Sequence, residues 1–444
     1  MSREMKDSGI EWVGQIPISW TSISLKYIVD YNKEDLSEKT EPNFQFDYID
    51  IGAVNYGQGI TNYQRINFEK APSRARRVVY EGDIILSTVR TYLKAVARIP
   101  KHEQQQIAST GFIVLTARKT IDPNFLFFAM LSNSFISRVE AESVGISYPA
   151  INSSDIVSFK IPIPCIQEQT RIADFLDAKC REIDSVLERT RTSIEEYKKL
   201  KQAVITQAVT KGVRGDRPMK DSGIEWIGKV PSEWSLLPFR HVLYERNEKN
   251  SPIKSTERLS LSINLGVTLY AEKTANMDRF KDDFEQYKLA YPGDLVMNSM
   301  NMIVGASGVS AYFGCVSPVY YTFYDKEYDH VTTKFCEYLF RSKTMLRVLF
   351  SLGKGIYAIV RGNDRVNTCR LKVSKEDLKN IIIPIPSVDE QREIVSYLGI
   401  KCQEIDNLIA KKQQYLIELE NYKKSLIYEY VTGKQEVFLD EISE

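Results

Sequence analysis

The sequence predicts an α+β protein in which two mixed α/β globules are joined by two long α-helices in an internal repeat. Three observations carry this. The octet MKDSGIEW stands at 5–12 and returns unchanged at 219–226. The stretch IPIPCIQEQTRIADFLDAKCREID at 161–184 returns as IPIPSVDEQREIVSYLGIKCQEID at 383–406. Between these anchors the halves barely match, apart from traces such as EGDIIL at 81–86 against PGDLVM at 292–297. Self-similarity of this kind means that one structural plan has been used twice. Similar ends with divergent middles imply a shared frame carrying two different specificities.

Each half opens on a tryptophan pair. VGQIPISW follows the first octet and IGKVPSEW the second, so Trp12 and Trp20 recur as Trp226 and Trp234, and these are all the tryptophans of the chain. The middles, 21–160 and 235–385, contain short β-like runs: FDYIDIGAV, RRVVY, DIILSTV and FIVLTA in the first, RLSLSINL, DLVMNS and VYYTFY in the second. Turn residues separate them. Helical runs follow, PNFLFFAMLSNSFISRVEAE and TTKFCEYLFRSKTMLRVLF. Each middle has the size and alternation of an ordinary mixed domain.

After each Ile-Pro-Ile-Pro the texture changes. Neither proline nor glycine interrupts 165–211, and Gly399 alone interrupts 387–432. Apolar residues recur there every eleven positions. Ile172, Ile183, Ile194 and Ile205 form one row, with Phe175, Val186 and Tyr197 beside it. The second half repeats the pattern with Ile394, Ile405, Leu416, Ile427 and with Tyr397, Leu408, Leu419, Tyr430. Eleven residues over three turns give a nearly straight or gently right-handed stripe. Roughly 40 such residues make a rod of about 60 Å. So narrow a stripe needs a partner, and the other repeat's helix supplies one. Two separate helical hairpins, each folding back locally, are the alternative.

Bulk properties set the class. A chain of 444 residues exceeds one ordinary core. Its 43% hydrophobic and 26% charged content is that of a soluble globular protein. No apolar run approaches a membrane span, and the first residues lack the apolar stretch of a secretory signal. Cys165, Cys180, Cys315, Cys336, Cys369 and Cys402 are scattered without a Cys-x-x-Cys, which suits reduced thiols in a cytoplasm. His102, His241 and His330 stand apart from any metal or triad spacing. GKGIYA at 353–358 lacks the strand before it and helix after it that a dinucleotide site needs. No phosphate loop, methyltransferase motif or nuclease carboxylate cluster is present. The expectation is a binding protein, without catalytic residues and without a metal.

The net charge is only +1, so positive charge must be segregated if the partner is a nucleic acid. Two windows are strongly basic. Lys70, Arg74, Arg76, Arg77, Arg90, Lys94, Arg98 and Lys101 face only Glu81 and Asp83 between 70 and 101. Arg341, Lys343, Arg347, Lys354, Arg361, Arg365, Arg370 and Lys372 face only Asp364 between 341 and 372. Basic clusters with amide and aromatic neighbours form the footprint of a DNA-binding surface. Ordinary surface charge is the plainer reading of any one of them.

These features together resemble the DNA-specificity (S) subunit of type I restriction–modification systems, over essentially the whole length. The motifs carrying the resemblance are MKDSGIEWIGKVPSEW between the halves, IPIPxxxEQ leading into each helix, and KQAVITQAVTKG closing the first helix. Glu168–Gln169 and Glu390–Gln391 occupy the family's Glu-Gln position. SLIYEYVTGK closes the second helix more loosely, and Gly399 introduces a small bend there.

The resemblance implies two target-recognition domains, at 1–160 and 216–385. It implies conserved long helix 1 with a linker at 161–215, and conserved long helix 2 with a C-terminal tail at 386–444. The helices pack antiparallel in a pseudo-twofold monomer. Each domain reads one half of a bipartite, asymmetric site in double-stranded DNA. The helices hold two modification subunits, adenine N6-methyltransferases, which bring S-adenosylmethionine; restriction/translocase subunits, where present, bring ATP and Mg. No cofactor is bound by this chain. The pseudo-twofold places the first octet beside the end of the second helix, near 431–434, with the chain termini as neighbours. Helix length then acts as a ruler for the unread spacer: one added turn in both helices moves the domains by about 5 Å.

Candidate DNA contacts in the first domain are Ser87, Thr88, Arg90, Tyr92 and Lys94 after GDIIL, with Arg74, Arg76 and Arg77 on phosphates. Ser147 and Tyr148 in GISYPAIN lie where the family has a DNA-facing loop. The second domain offers Asn298, Ser299 and Asn301 after GDLVM, plus Lys354, Tyr357 and Arg361. Two other readings stay open: a coiled-coil protein-interaction scaffold without sequence-specific DNA binding, and a stand-alone enzyme with unrecognised motifs.

Overall fold

The structure is a computed structural model and describes residues 3–263, 265–273, 283–327, 329–356, 359–360, 366–367 and 370–437. It divides into two compact units, Met1–Arg191 with Gln414–Glu444, and Thr192–Gln413. The division falls inside the two long helices, Ile166–Lys211 and Val388–Val431. Their 46 and 44 residues match the lengths read from the uninterrupted sequence.

Within the first unit, strand Thr21–Ser24 pairs antiparallel with Lys160–Ile163, the Ile-Pro-Ile segment that leads into the first long helix. A four-stranded sheet runs Val29–Tyr31, Phe112–Ala117, Ile84–Ser87, Val96–Arg98. A second runs Gln64–Asn67, Gln45–Ile49, Gln106–Ser109, Ala75–Val79. Within the second unit, Ser235–Pro238 pairs with Ile382–Ile385 in the same way. Its four-stranded sheet runs Tyr244–Glu245, Tyr320–Tyr324, Leu295–Asn298, Ser307–Val309. That order repeats the first sheet strand for strand, so the duplication reaches into middles whose sequences show almost no trace of it.

The shared Gly-Asp has a structural role. Asp83 is buried, accepting from the Tyr80 N–H at 2.9 Å and from the Thr116 hydroxyl at 2.7 Å. Asp294 is buried likewise, accepting from the Tyr291 N–H at 2.9 Å and from Arg246 Nε at 2.6 Å. Burial pushes both carboxyls above their ordinary value. The aspartate closes the turn that starts the central strand, and a buried carboxylate is tolerated there because its oxygens are bonded.

Both helical runs read from the sequence are broken in two at a serine. Pro123–Leu131 gives way to Asn133–Glu142 at Ser132, whose hydroxyl accepts from Phe135 N; Val331–Phe340 gives way to Lys343–Leu352, with Ser342 accepting from Met345 N. A serine cap starts a new helix at each site.

The two long helices are antiparallel in each unit. In the first, Phe175 stacks on Tyr430 at 4.6 Å, Asp184 meets Lys423 at 2.6 Å and Arg191 meets Glu420 at 3.0 Å. In the second, Lys201 meets Asp406 at 2.6 Å, and just past the end of the first helix Arg214 meets Glu393 at 2.8 Å. Rising numbers on one helix meet falling numbers on the other throughout. Ile172, Ile183, Ile194 and Ile205 are all buried, as are Ile394, Ile405 and Ile427. The second row of the C-terminal helix departs from expectation, because Tyr397 and Leu408 are exposed. Ile400, Tyr415, Ile417 and Tyr422 on the same helix are exposed as well. The helix passes through Gly399 without interruption.

Candidate nucleic-acid interface

The duplicated octet builds the frame on which each unit stands. Met5–Asp7 pairs with Gln15–Pro17, and Met219–Asp221 with Lys229–Pro231. Each small hairpin delivers its second tryptophan into the core: Trp20 and Trp234 are fully buried. A buried indole N–H needs an acceptor. Trp20 Nε1 donates to Glu168 Oε2 at 3.2 Å and Trp234 Nε1 to Glu390 Oε2 at 2.9 Å. These are the glutamates of the Glu-Gln motif. Arg3 Nη2 lies 2.5 Å from Glu168 Oε1, and Arg217 Nη2 lies 2.6 Å from Glu390 Oε1.

The neighbouring glutamines work alike: Gln169 Nε2 donates to the Pro164 carbonyl and Gln391 Nε2 to the Pro386 carbonyl, both at 3.0 Å. Ile-Pro-x-Pro-x-x-x-Glu-Gln is thus a joint, in which proline fixes the chain, glutamine ties it and glutamate receives the opening segment.

Arg3 and Arg217 escaped the sequence reading. Both stand two residues before the octet, so the duplicated unit is Arg-x-MKDSGIEW. Extending the alignment by two columns, past the unmatched Glu4 and Pro218, would have found them.

The expected neighbourhood of octet and helix end is present. In the first unit, Lys434 Nζ donates to the Val13 carbonyl at 3.0 Å and Arg3 pairs with Glu436 at 3.0 Å. Gly433 ends the helix with φ of 72°, and a side chain there would meet Pro17 at 2.5 Å. Gly212 ends the other long helix with φ of 79°, against Arg217 and Glu390.

On this frame sit the residues expected to meet DNA. Arg74, Arg90 and Tyr148 come together in the first unit around a cleft also lined by Asp50, Val89, Thr110 and Gly111. Arg90 sits in the left-handed region with φ of 53° and its guanidinium stacks over Tyr148 at 5.2 Å. Arg74 pairs with Asp50 at 2.5 Å and donates to the Tyr48 hydroxyl at 3.2 Å. Tyr92, Ser147 and Tyr148 are exposed, and Lys94 is half-buried against Glu140 at 3.1 Å.

Other expected residues lie elsewhere. Arg77 is drawn to Asp35 at 2.7 Å, and Arg76 stacks on Phe68 while donating to the Ala75 carbonyl. Ser87 and Thr88 are buried, the latter through both its N–H and its hydroxyl on the Gly111 carbonyl. They close the domain rather than line its surface, since strand Ile84–Ser87 is buried at every position.

In the second unit Asn298 and Ser299 are buried, with Asn298 Oδ1 accepting from the Met300 N–H at 3.0 Å. Asn301 is exposed. Lys354 is exposed and pairs with Asp377 at 3.2 Å. Tyr357 and Arg361 lie outside the described residues. Asp50, Thr110 and Gly111 had no sequence signal, because strand pairing alone brings 50, 74, 90, 110 and 148 together.

Among the described residues no group of histidine, cysteine, aspartate and glutamate could hold a metal ion, and no helix is long and apolar enough to cross a membrane.

Residues 17–196 match the sequence model of the type I restriction modification DNA specificity domain. A putative type I restriction enzyme specificity subunit, MjaX of Methanocaldococcus jannaschii, is 21% identical over 443 residues and 95% of both chains. Residues 17–196 carry the DNA specificity domain of type I restriction–modification systems, and the chain as a whole is similar to their specificity subunits.

The EcoDI specificity subunit of Escherichia coli is 22% identical over 71% of this chain and 70% of its own length. Among solved structures, a chain from work on assembly and conformational transition of the type I R-M system superposes with a TM-score of 0.70. It is 22% identical, over 95% of this chain and 99% of its own. The HsdS subunit of Thermoanaerobacter tengcongensis superposes at 0.53, with 23% identity over 95% and 98%. These likenesses share the fold. Specificity subunits are the non-catalytic part of their complexes, and the match of 17–196 to their DNA specificity domain favours that reading over a plain coiled-coil scaffold.

Proposed function

We propose that this chain reads a bipartite, asymmetric site in double-stranded DNA, one half with each α/β domain, and that its helix pair holds two adenine N6-methyltransferase subunits. The observation that carries this is the duplicated Trp–Glu–Arg joint under two unlike globules. A repeated mount with divergent heads suits a reader of two different half-sites. The exposed Tyr397, Ile400, Leu408, Tyr415, Ile417 and Tyr422 along the C-terminal helix support a further protein partner there, since apolar side chains repeated on one element mark an interaction surface.

In this reading S-adenosylmethionine belongs to the modification subunits, and ATP and Mg to restriction subunits where these are present. The complex works in the cytoplasm, on the cell's own DNA. In the first domain, Arg74, Arg90, Tyr92, Ser147 and Tyr148 form the DNA face; Asn301 and Lys354 belong to that of the second.

Methylome sequencing of strains with and without the gene for this chain tests the proposal. A split adenine-methylated motif disappears on deletion. An unchanged methylome in a strain that expresses the modification subunit contradicts it.

A further inference from the structure

The loop at 144–150 projects three large apolar side chains into solvent. Val144, Ile146 and Tyr148 are exposed to 81%, 104% and 67%, so Ile146 stands entirely free of the protein. Water contact with so much apolar surface is unfavourable, and a projecting apolar tip of this kind marks a contact.

The tip is nevertheless held firmly. Val144 and Ala150 bridge each other, and Ala150 also bridges Val89. Arg90 N–H donates to the Pro149 carbonyl at 2.8 Å, and Ile151 N–H to the Thr88 carbonyl at 2.9 Å. Gly145 turns the chain with φ of 119°, where any side chain would press on the Tyr148 carbonyl at 3.1 Å. Beside the tip lie the Arg90 guanidinium, stacked on Tyr148, and Arg74 across the cleft. An apolar tip beside the exposed Arg90 cation suits a polyanion with an apolar interior, which describes stacked DNA.

Resting on the reading of this unit as a DNA-binding domain, we propose that the 144–150 loop is a wedge. Ile146 enters between two stacked base pairs of the half-site, while Arg90 holds a flanking phosphate. Apolar wedges of this type part a base step and kink the duplex, which adds sequence preference through the ease of deforming that step. A rigid, pinned loop fits this role better than a flexible one, because unstacking needs a support that does not yield.

The test uses the full chain assembled with its modification subunits, on duplexes carrying the methylated site. 2-Aminopurine replaces one base at a time through both half-sites, with the target adenines left untouched. With the unaltered protein, emission rises at one non-target step of one half-site. Ile146→Ala returns it to the level of free duplex, and Ile146→Met restores the rise.

A footprint over both half-sites without any brightened step overturns the wedge while leaving the DNA reading intact. So does brightening that persists in Ile146→Ala. Loss of the footprint itself overturns both. Deoxyuridine in place of thymine is a control arm. If it weakens binding of the unaltered protein but not of Ile146→Ala, with no step brightened, then Ile146 reads a thymine methyl and the wedge is wrong.

Discussion

Trp234 donates its indole N–H to Glu390 at 2.9 Å, and Trp20 does the same to Glu168 at 3.2 Å. The second tryptophan of each duplicated opening segment, eight residues beyond the octet, is thereby tied to the duplicated Glu-Gln motif that opens each long helix, 148 residues away in the first unit and 156 in the second. Neither motif has a reacting group to position. Their shared job is to clamp the opening segment of a domain onto the head of a helix.

Removing the acceptor in the second unit is expected to be costly. Glu390 is almost wholly buried, at 2% exposure, and also pairs with Arg217, at 10%. Glu390→Ala leaves the indole N–H without a partner and takes from the Arg217 guanidinium its buried carboxylate, leaving it the exposed Glu233 at 3.1 Å and the Lys211 carbonyl at 2.9 Å, a loss of up to about 3–5 kcal/mol. Trp234→Phe keeps the ion pair and loses one charge-assisted hydrogen bond, about 1.5–3 kcal/mol. Urea unfolding followed by tryptophan-independent circular dichroism checks the order. Equal destabilisation by the two variants would contradict the clamp as drawn.

Gly212 should resist substitution. Its φ of 79° costs an L residue about 1–2 kcal/mol. An alanine Cβ would also fall 1.9 Å from Arg217 Nη2 and displace it from Glu390. Gly212→Ala therefore loses more than the backbone strain alone, and Gly212→Ala combined with Glu390→Ala loses less than the sum of the two. A double-mutant cycle on urea midpoints measures the coupling.

Stability at low pH should report the carboxylates held by arginines. Arg214 forks onto Glu393 with both bonds at 2.8 Å and holds its carboxyl below the ordinary range. The hydrogen bond from Arg3 lowers Glu436 in the same sense. A depressed folded value stabilises the fold above the unfolded one, about 4.3 for glutamate, and the gain is lost as pH falls through the folded value. Both groups face solvent, so the effect is small. The difference in urea midpoint between the unaltered chain and Glu393→Gln should stay constant from about pH 7 to 5 and shrink below about pH 4. A difference that grows on acidification would contradict the sign.

DNA binding should separate the basic residues by their surroundings. Arg90→Ala removes an exposed cation from the cleft beside Tyr148. If Arg90 reads a base edge, the loss is about 1–3 kcal/mol on the matched site and little on mismatched ones. A phosphate contact instead weakens all sequences alike and lowers the salt slope. Arg77→Ala, already committed to Asp35, should change neither. Fluorescence anisotropy at several salt concentrations distinguishes these cases.

The frame was legible because its physics is local and was written twice. The octet, the Glu-Gln pairs and the eleven-residue rows each recur in the same order, and Ile172 through Ile205 are buried as the rows require. Arg3 and Arg217 lay two columns before the matched block, behind the unmatched pair Glu4 and Pro218. The helix breaks at Ser132 and Ser342 were hidden because helix-forming residues run through both, and only a capping hydroxyl marks the join.

The DNA face was harder to see. Ser87 and Asn298 follow the same Gly-Asp strand and read as loop residues, yet the strand carries both inside. Burial there depends on neighbours such as Phe112 and Tyr320, which pair from a distance in the chain. Tyr397 and Leu408 failed in the opposite sense: helical spacing gives a face but does not say what covers it.

The central claim is that one frame carries two independent readers. It is tested most directly by exchanging residues 25–158 for the corresponding middle of another specificity subunit, leaving both joints and both long helices in place. Methylome sequencing of cells carrying the hybrid and the modification subunit then reads the site. The account predicts a new methylated motif in which one half has changed while the other half and the spacer length are kept. A motif altered in both halves, or in neither, would contradict it.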